Sequence, residues 1–556
     1  MAADPDPTTR AELAALLETG DGAQVRVRFE QPLVFGTAGL RGALGAGPAR
    51  MNRLVVRRTT AGVAQWVLDQ GAEAASAGIV VGRDARHGSE EFARDVAEVA
   101  SAAGVRVRVL SRPLPTPLTA FAVKQLGAAA GVMITASHNP AADNGYKVYM
   151  ADGAQVIPPD DARIFEAAKA AASTTRKAPG AAAPVETIDE AELLGAYRQI
   201  ALGLLDPGSP RELRIVYTPL HGVGGAVVPK LLEDAGFGPV SVVAAQAAPD
   251  PEFPTVVFPN PEEPGALDLA LADAVRIDAD IVIANDPDAD RLAVAVPDPM
   301  RRTWRMLTGD ELGVLLADHL LSSSCGDDRL VATTIVSSTM LSAMAQAAGV
   351  AYVETLTGFK WIARAALRRP GSRLVFGYEE ALGYQVGDAV SDKDGLSAAL
   401  VAAEIAADSK AQGSSVLGRL DDLASRFGVH STTQWSLRLS GPNAKGEMAG
   451  IVNRWRSDPP GVLAGLEVTG FTDLAEPTAD LPATDALVFH LDRGARVVLR
   501  PSGTEPKLKG YFEVATGPVP LDGLVEARRA AALLLGLLKD DVAARCQSMS
   551  GSPADA

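Results

Sequence analysis

Residues 281–291 read Ile-Val-Ile-Ala-Asn-Asp-Pro-Asp-Ala-Asp-Arg. Ile281–Ala284 is a short apolar run dominated by β-branched residues, the pattern of a fully buried strand. It runs straight into Asp286, Asp288 and Asp290. Carboxylates spaced two apart repel one another, and Pro287 bars regular helix through them. A hard divalent cation would gather their oxygens, and Mg²⁺ is the natural candidate for mixed protein and phosphate ligands. The competing reading is a solvated acidic turn. A calcium EF-hand loop fails, because its sixth and twelfth positions would be Arg291 and Pro297 rather than Gly and Glu. Arg291 is placed to neutralise residual charge or to touch phosphate.

Runs of the same texture recur on both sides of this stretch: 78–81, 105–110, 131–134, 213–217, 330–334 and 374–376. Helix-like segments lie between many of them, at 89–103, 228–235 and 310–321. Strands alternating with helices predict an α/β fold. At about 150 residues per domain, 556 residues suggest three or four domains. Small-residue and Pro/Gly-rich stretches at 171–184, 206–210, 297–302 and 411–415 mark turns and linkers. They divide the chain at about 205, 305 and 420. Residues 1–205 then hold a serine loop, 206–305 the acidic loop, 306–420 a carboxylate loop, and 421–556 a more strand-like domain. A disordered tail is expected from Gln547 to Ala556.

Composition excludes several classes of function. Lys+Arg number 52 and Asp+Glu 68, a net charge of −16, against the grain of nucleic-acid binding. Any anionic ligand needs a local basic pocket. Two cysteines, Cys325 and Cys546, cannot build a disulfide framework, and there is no C-x-x-C. The first residues are acidic and contain Pro, unlike a secretory signal. The longest apolar runs fall short of the ~18 residues of a membrane span. A cytoplasmic protein is expected.

A second loop follows the strand-like run 131–134: Thr135-Ala136-Ser137-His138-Asn139-Pro140, with Asn144-Gly145-Tyr146-Lys147 beyond it. Asn-Pro and Asn-Gly mark a tight, exposed loop. The hydrolase elbow G-x-S-x-G does not fit, since positions 135 and 139 are Thr and Asn. Ser137 could instead carry a phosphoryl group that supplies an oxygen to a metal on the aspartates. The same peptide also reads as a loop whose Ser137 and His138 satisfy backbone groups.

Arg500-Pro501-Ser502-Gly503-Thr504-Glu505-Pro506-Lys507-Leu508-Lys509 offers a guanidinium fork, hydroxyls, a Gly N–H and two ammoniums, the inventory for a dianionic phosphate. A hairpin turn would use the same residues. Residues 35–42, Phe-Gly-Thr-Ala-Gly-Leu-Arg-Gly, add glycines and Arg41, and the chain has no nucleotide P-loop. Gly377-Tyr378-Glu379-Glu380-Ala381-Leu382-Gly383 puts carboxylates at a strand end, where vicinal hydroxyls could donate to them. Asp392-Lys393-Asp394-Gly395 and Thr357-Gly358-Phe359-Lys360 each add an ammonium.

Together, residues 135–140, 286–291, 377–383 and 500–507 resemble the four motif regions of the α-D-phosphohexomutase family, in that family's order. The segments FGTAGLRG, TLTGFKWI and SGTEPKLKGY look most like the branch of phosphoglucomutases similar to phosphopentomutases. The resemblance implies four domains: three related α/β units with mixed sheets and a smaller C-terminal α+β unit. It implies a phosphoserine at Ser137 and Mg²⁺ held by Asp286, Asp288, Asp290 and that phosphoserine. Lys147 would be a general acid/base assisted by His138, with Arg41 and Arg291 near the transferring group. Glu379 and Lys393 would touch the sugar, Gly358 and Lys360 would sit in a specificity loop, and Arg500, Ser502, Gly503 and Thr504 would grip the nonreacting phosphate. Ala381 departs from the serine that several glucose and mannose enzymes carry there.

The implied activity interconverts hexose 1-phosphate and hexose 6-phosphate, glucose first and mannose second, through a bisphosphorylated sugar that also serves as activator. Alternatives are a phosphopentomutase, a metal-dependent sugar phosphatase and a non-enzymatic sugar-phosphate binder. The partners expected are small sugar phosphates, with no nucleic acid and no membrane, and the chain is expected as a monomer or homodimer.

Overall fold

The computed structural model describes residues 4–36, 39–171, 182–441, 443–479, 481–502 and 507–550. The chain forms two compact units, residues 1–307 with 382–412, and residues 308–381 with 413–556.

The first unit holds two mixed sheets. In one, the strand Ile79–Arg83 runs parallel to both Val107–Val109 and Ala130–Ile134. Asp143–Met150 returns antiparallel beside Ala130–Ile134, and Leu40–Ala43 closes that edge. Val185–Thr187 lies parallel at the other edge. Because side chains alternate across a strand, Ile79, Val81, Val132 and Ile134 join one core with Val63, Phe92 and Val96 of the helices Arg53–Asp69 and Ser89–Ala102. The opposite face carries Gly82 and Gly131. A Cβ there would meet Thr119 and Val123 of the helix Thr116–Gln125 at 2.1 and 2.4 Å, so that helix sits directly on the sheet.

In the other sheet, Ile281–Ala284 lies between parallel Ile215–Thr218 and antiparallel Ala293–Asp298, with Thr303–Met306 and Val240–Val242 outside. The helix Asp268–Ile277 packs Ala270 and Ala274 on Val216, Val282 and Ala295. The helix Gly395–Ala411 is buried almost all round, as its continuous apolar sequence requires. The turn at 297–302 is a hairpin connection within this sheet rather than a linker, because Pro297 and Asp298 pair with Trp304 and Thr303.

In the second unit, Arg329–Thr334 runs parallel between Ala351–Thr355 and Arg373–Glu379. A six-stranded antiparallel sheet follows in the order 430–438, 507–515, 495–501, 487–491, 466–473, 462–463. Val497, Leu499, Phe489 and Phe512 face the helices Ala444–Ser457 and Leu524–Ser550. Val498, Val488 and Tyr511 face Ile335, Val336 and Leu356. The expected α/β class holds, with this antiparallel sheet as its α+β part. The tail needs correction: the last helix continues through Gln547 to Ser550, because Val542, Cys546 and Met549 still pack on the core. Positions 551–556 lie outside the described residues.

Candidate active site

Strand ends build the site in the first unit. Ala130–Ile134 stops at Thr135, whose hydroxyl accepts from Ser137 N at 2.8 Å. Ser137 takes the left-handed region, φ 54°, unusual for a residue with a Cβ. Its Oγ donates to Asp286 Oδ2 at 2.7 Å and lies 3.1 Å from His138 Nδ1.

The acidic loop leaves the end of Ile281–Ala284 and is held from every side. Asn285 Nδ2 donates to the carbonyl of Arg291, and Asn285 Oδ1 accepts from the Tyr217 hydroxyl. Val223 N donates to Pro287 O. Thr116, opening its helix, donates its N–H to Asp288 O at 2.9 Å and its hydroxyl to Asp288 Oδ2 at 2.6 Å. Gly222 is required: a Cβ would stand 2.3 Å from Pro287 Cα.

Asp286, Asp288 and Asp290 are fully buried. Each offers one carboxylate oxygen within 4.8 Å of the others. Lys147 Nζ, itself fully buried, donates at 2.7 Å to Asp288 Oδ2 and to Asp290 Oδ2. Lys393 Nζ lies 3.4 Å from Asp290 Oδ2 and from Asp392 Oδ1. The buried Oδ1 atoms of Asp288 and Asp290 have no hydrogen-bond partner among the described residues. Hard oxygen donors, convergent and left unpartnered in a buried place, fit a divalent cation.

The charges shape each other. Burial would drive the Lys147 ammonium toward neutrality, but Asp288 and Asp290 outweigh it and hold the ammonium above its ordinary range. Burial and Asp288 push the Asp290 carboxyl upward, and Lys147, Lys393 and Arg291 reverse this, so it stays ionised. Burial, then Arg291 and Arg41, push His138 well below the usual imidazole range. His138 is therefore neutral at pH 7. Arg41 Nη1 reaches Asn139 Oδ1 at 3.3 Å, and Arg291 Nη1 lies 3.9 Å from Glu262.

Ser137, His138, Lys147, Arg41, Arg291, Lys393 and the three aspartates are thus neighbours in one unit. The remaining candidates belong to the second unit. Gly358, φ 108°, opens the short helix Phe359–Ile362, and Lys360 Nζ stands 5.9 Å from the Trp361 ring. Glu379 ends its strand, and Arg500 bonds the Tyr511 hydroxyl near it. Arg500 lies opposite Lys509 across the ladder. Ser502 N donates to Lys507 O at 2.7 Å. Gly503 and Thr504 lie outside the described residues. Burial first, then Glu379 and Asp310, push the Glu380 carboxyl up to about 7. Its Oε2 accepts from Ser337 and Thr334.

Thr116, which braces the acidic loop, and Arg86, whose Nη2 donates to the carbonyl of Ser137 at 2.8 Å, carry no motif of their own. Their only trace in the sequence is a polar residue at a strand or helix end. Among the described residues no helix is long and apolar enough to cross a membrane.

Four models of phosphoglucomutase/phosphomannomutase domains match in order: the alpha/beta/alpha domains I, II and III at residues 32–175, 199–299 and 308–423, and the C-terminal domain at 465–527. The chain is 41% identical over 478 residues to the "Probable phosphomannomutase" of Haemophilus influenzae, covering 85% of this chain and 94% of that one. It is 39% identical over 549 residues to the "Probable phosphoribomutase" of Schizosaccharomyces pombe, covering 92% and 91%. Its fold is similar to that of a phosphoglucomutase/phosphomannomutase family protein from Burkholderia thailandensis, with TM-score 0.70, 20% identity and coverage of 94% and 98%. With all four domains matched and full-length relatives above 30% identity, the chain belongs to the phosphoglucomutase/phosphomannomutase family and is a phosphosugar mutase, an isomerase that works by phosphoryl transfer.

Proposed function

We propose that Ser137 is the phosphoryl carrier of a mutase that interconverts hexose 1-phosphate and hexose 6-phosphate, with glucose as its first sugar and mannose as its second. The observation that carries this reading is the 2.7 Å bond from Ser137 Oγ to Asp286, beside two buried carboxylate oxygens that have no hydrogen-bond partner among the described residues. Asp286, Asp288, Asp290 and the phosphorylated Ser137 would hold Mg²⁺. When bound, the ion would offset negative charge developing on the phosphoryl oxygens.

The protein's own groups divide the rest of the work. A sugar hydroxyl attacks phosphorus, the new O–P bond forms, and the bond from phosphorus to Ser137 Oγ breaks. Neutral His138 is 3.1 Å from that Oγ and can accept or return a proton there. Lys147, an ammonium at rest, would give a proton to the Ser137 oxygen as it leaves and regain one from the attacking sugar hydroxyl, and it is the counter-charge of Asp288 and Asp290. Arg41 and Arg291 supply guanidiniums for the phosphoryl oxygens. The bisphosphorylated sugar then presents its other phosphate to Ser137, and the reverse transfer restores the phosphoenzyme. In the second unit, Glu379 would accept from sugar hydroxyls, and Arg500 with Ser502, Gly503 and Thr504 would grip the phosphate that does not react. Gly358 and Lys360 would shape the specificity loop, and Lys393 of the first unit would reach the sugar from beside Asp290.

A pentose 1-phosphate is the second reading. It is favoured by Ala381, which has no hydroxyl to offer a hexose, and by the name of the S. pombe relative. Incubation with glucose, mannose, ribose and deoxyribose 1-phosphates, with Mg²⁺ and with or without a trace of sugar bisphosphate, separates these. Isomer formation without free phosphate is expected, fastest with glucose. Release of inorganic phosphate alone would make the chain a phosphatase. Intact-mass analysis should show about 80 Da on the peptide holding Ser137.

A further inference from the structure

Ser137, at φ 54°, is held within its own loop by the Thr135 hydroxyl and from outside it by Arg86, nearly fully buried at 5% exposure and 51 residues away. Arg86 Nη2 donates to the carbonyls of Ser137 at 2.8 Å and Asn139 at 2.5 Å. Its Nη1 donates to the carbonyls of Pro140 at 2.7 Å and Asp143 at 3.1 Å. One guanidinium thus ties four main-chain oxygens across the whole turn between two strands. Only a planar fork with two N–H pairs can do this, and an ammonium has three donors on a single point.

The fork is itself fixed. Asp84 Oδ1 accepts from Arg86 N and from Ser89 Oγ, and Asp84 Oδ2 lies 3.5 Å from Arg86 Nε. Phe253, also buried and at φ 47°, lays its ring 4.9 Å from the guanidinium carbon. Asp250 N donates to the carbonyl of His221, and the next residue, Gly222, packs against Pro287 of the acidic loop. Arg86 therefore stands where the braces of the serine loop and of the acidic loop meet.

We infer that Arg86 is a positioning residue for phosphoryl transfer, which locks the backbone of Ser137 so that its Oγ points at the aspartates in both half-reactions. The inference rests on Ser137 being the phosphoryl carrier. Among the described residues, the hydrogen bonds of the guanidinium all end on main-chain oxygens, so it acts through Ser137 and not on the sugar. Its removal should slow the transfer and leave sugar affinity nearly intact.

The test uses Arg86→Lys and Arg86→Ala in the full chain, with Ser137→Ala as control. Arg86→Lys should lower kcat about 100-fold, the scale of an ångström-sized misplacement, with KM for the sugar phosphate changed less than about threefold. Transfer from sugar bisphosphate to Ser137 in a single turnover should slow by the same factor. Sub-denaturing guanidinium should restore turnover to Arg86→Ala saturably, and urea at equal concentration should not. A kcat within about twofold of the parent in Arg86→Lys, corrected for folded fraction, overturns the inference, as does a rise in KM alone. So does a folded Arg86→Ala that guanidinium does not rescue. If Arg86→Ala does not fold, Arg86→Lys decides. Full activity in Ser137→Ala would instead overturn the phosphoserine reading itself.

Discussion

The hydroxyl of Ser137 donates to the Asp286 carboxylate at 2.7 Å across 149 positions of chain. The two residues lie in loops that follow strands of different sheets, and each loop is held by braces from outside it. Asp286→Asn keeps the shape but replaces a charged acceptor with a weaker one. It should leave the fold intact and cut kcat by about 10²- to 10³-fold, the scale of losing one aligned polar group in a water-poor site. Steady-state kinetics with circular dichroism checks this, and a variant with parental kcat would contradict it.

Lys147 is the counter-charge that lets Asp288 and Asp290 lie buried side by side. Lys147→Met should destabilise the chain by about 3 kcal/mol in the presence of a chelator, because a broken buried ion pair leaves unpaired charge. Added Mg²⁺ should recover more melting temperature in this variant than in the parent. Equal Mg²⁺ shifts in both would argue against a shared cation site.

Gly222 has no room for a methyl group beside Pro287, with main-chain atoms at 2.3 and 2.4 Å. Gly222→Ala must push the acidic loop. The expected loss is about 2 kcal/mol of stability, the scale of an overpacked contact against backbone. Activity should fall further than the folded fraction does, since the displaced loop carries the aspartates. Thermal melts and kinetics on one preparation measure both.

The Glu380 carboxyl is raised to about 7 from an ordinary value of 4.5. The folded chain therefore holds a proton that the unfolded chain releases between these values. Stability from this group is fully present below pH 4.5 and is lost as pH rises toward 7. Glu380→Gln removes the titration, so it should gain about 2 kcal/mol over the parent at pH 8 and little at pH 4, allowing for partial exposure. Denaturant melts at the two pH values test this. An identical gain at both would place the cause elsewhere.

Chelation should abolish mutase activity, and Mg²⁺ should restore it. The unpartnered Oδ1 atoms of Asp288 and Asp290 are the physical reason, since no donor among the described residues takes them. Retained activity after exhaustive chelation would mean that the aspartates work without a metal.

Local patterns in the sequence determined the strands, their class and the chemical inventory. Ile281–Ala284 is legible as a buried strand because an uninterrupted β-branched run has few other stable fates, and Asp286 to Asp290 stand out because repelling carboxylates need a partner. Pro297–Arg302 reads as a linker and 547–550 as disordered, where the structure has a hairpin turn and a helix end, because a turn within a hairpin and a turn between domains use the same residues, and because a helix end follows whatever core it meets. Only the tertiary structure decided which loops meet. Arg86, Thr116 and Gly222 brace the site through contacts with distant main chain, and no spacing rule along one segment encodes such contacts. Lys393, close in sequence to the carboxylate loop at 377–383, is placed against Asp290 because residues 382–412 pack with the first unit.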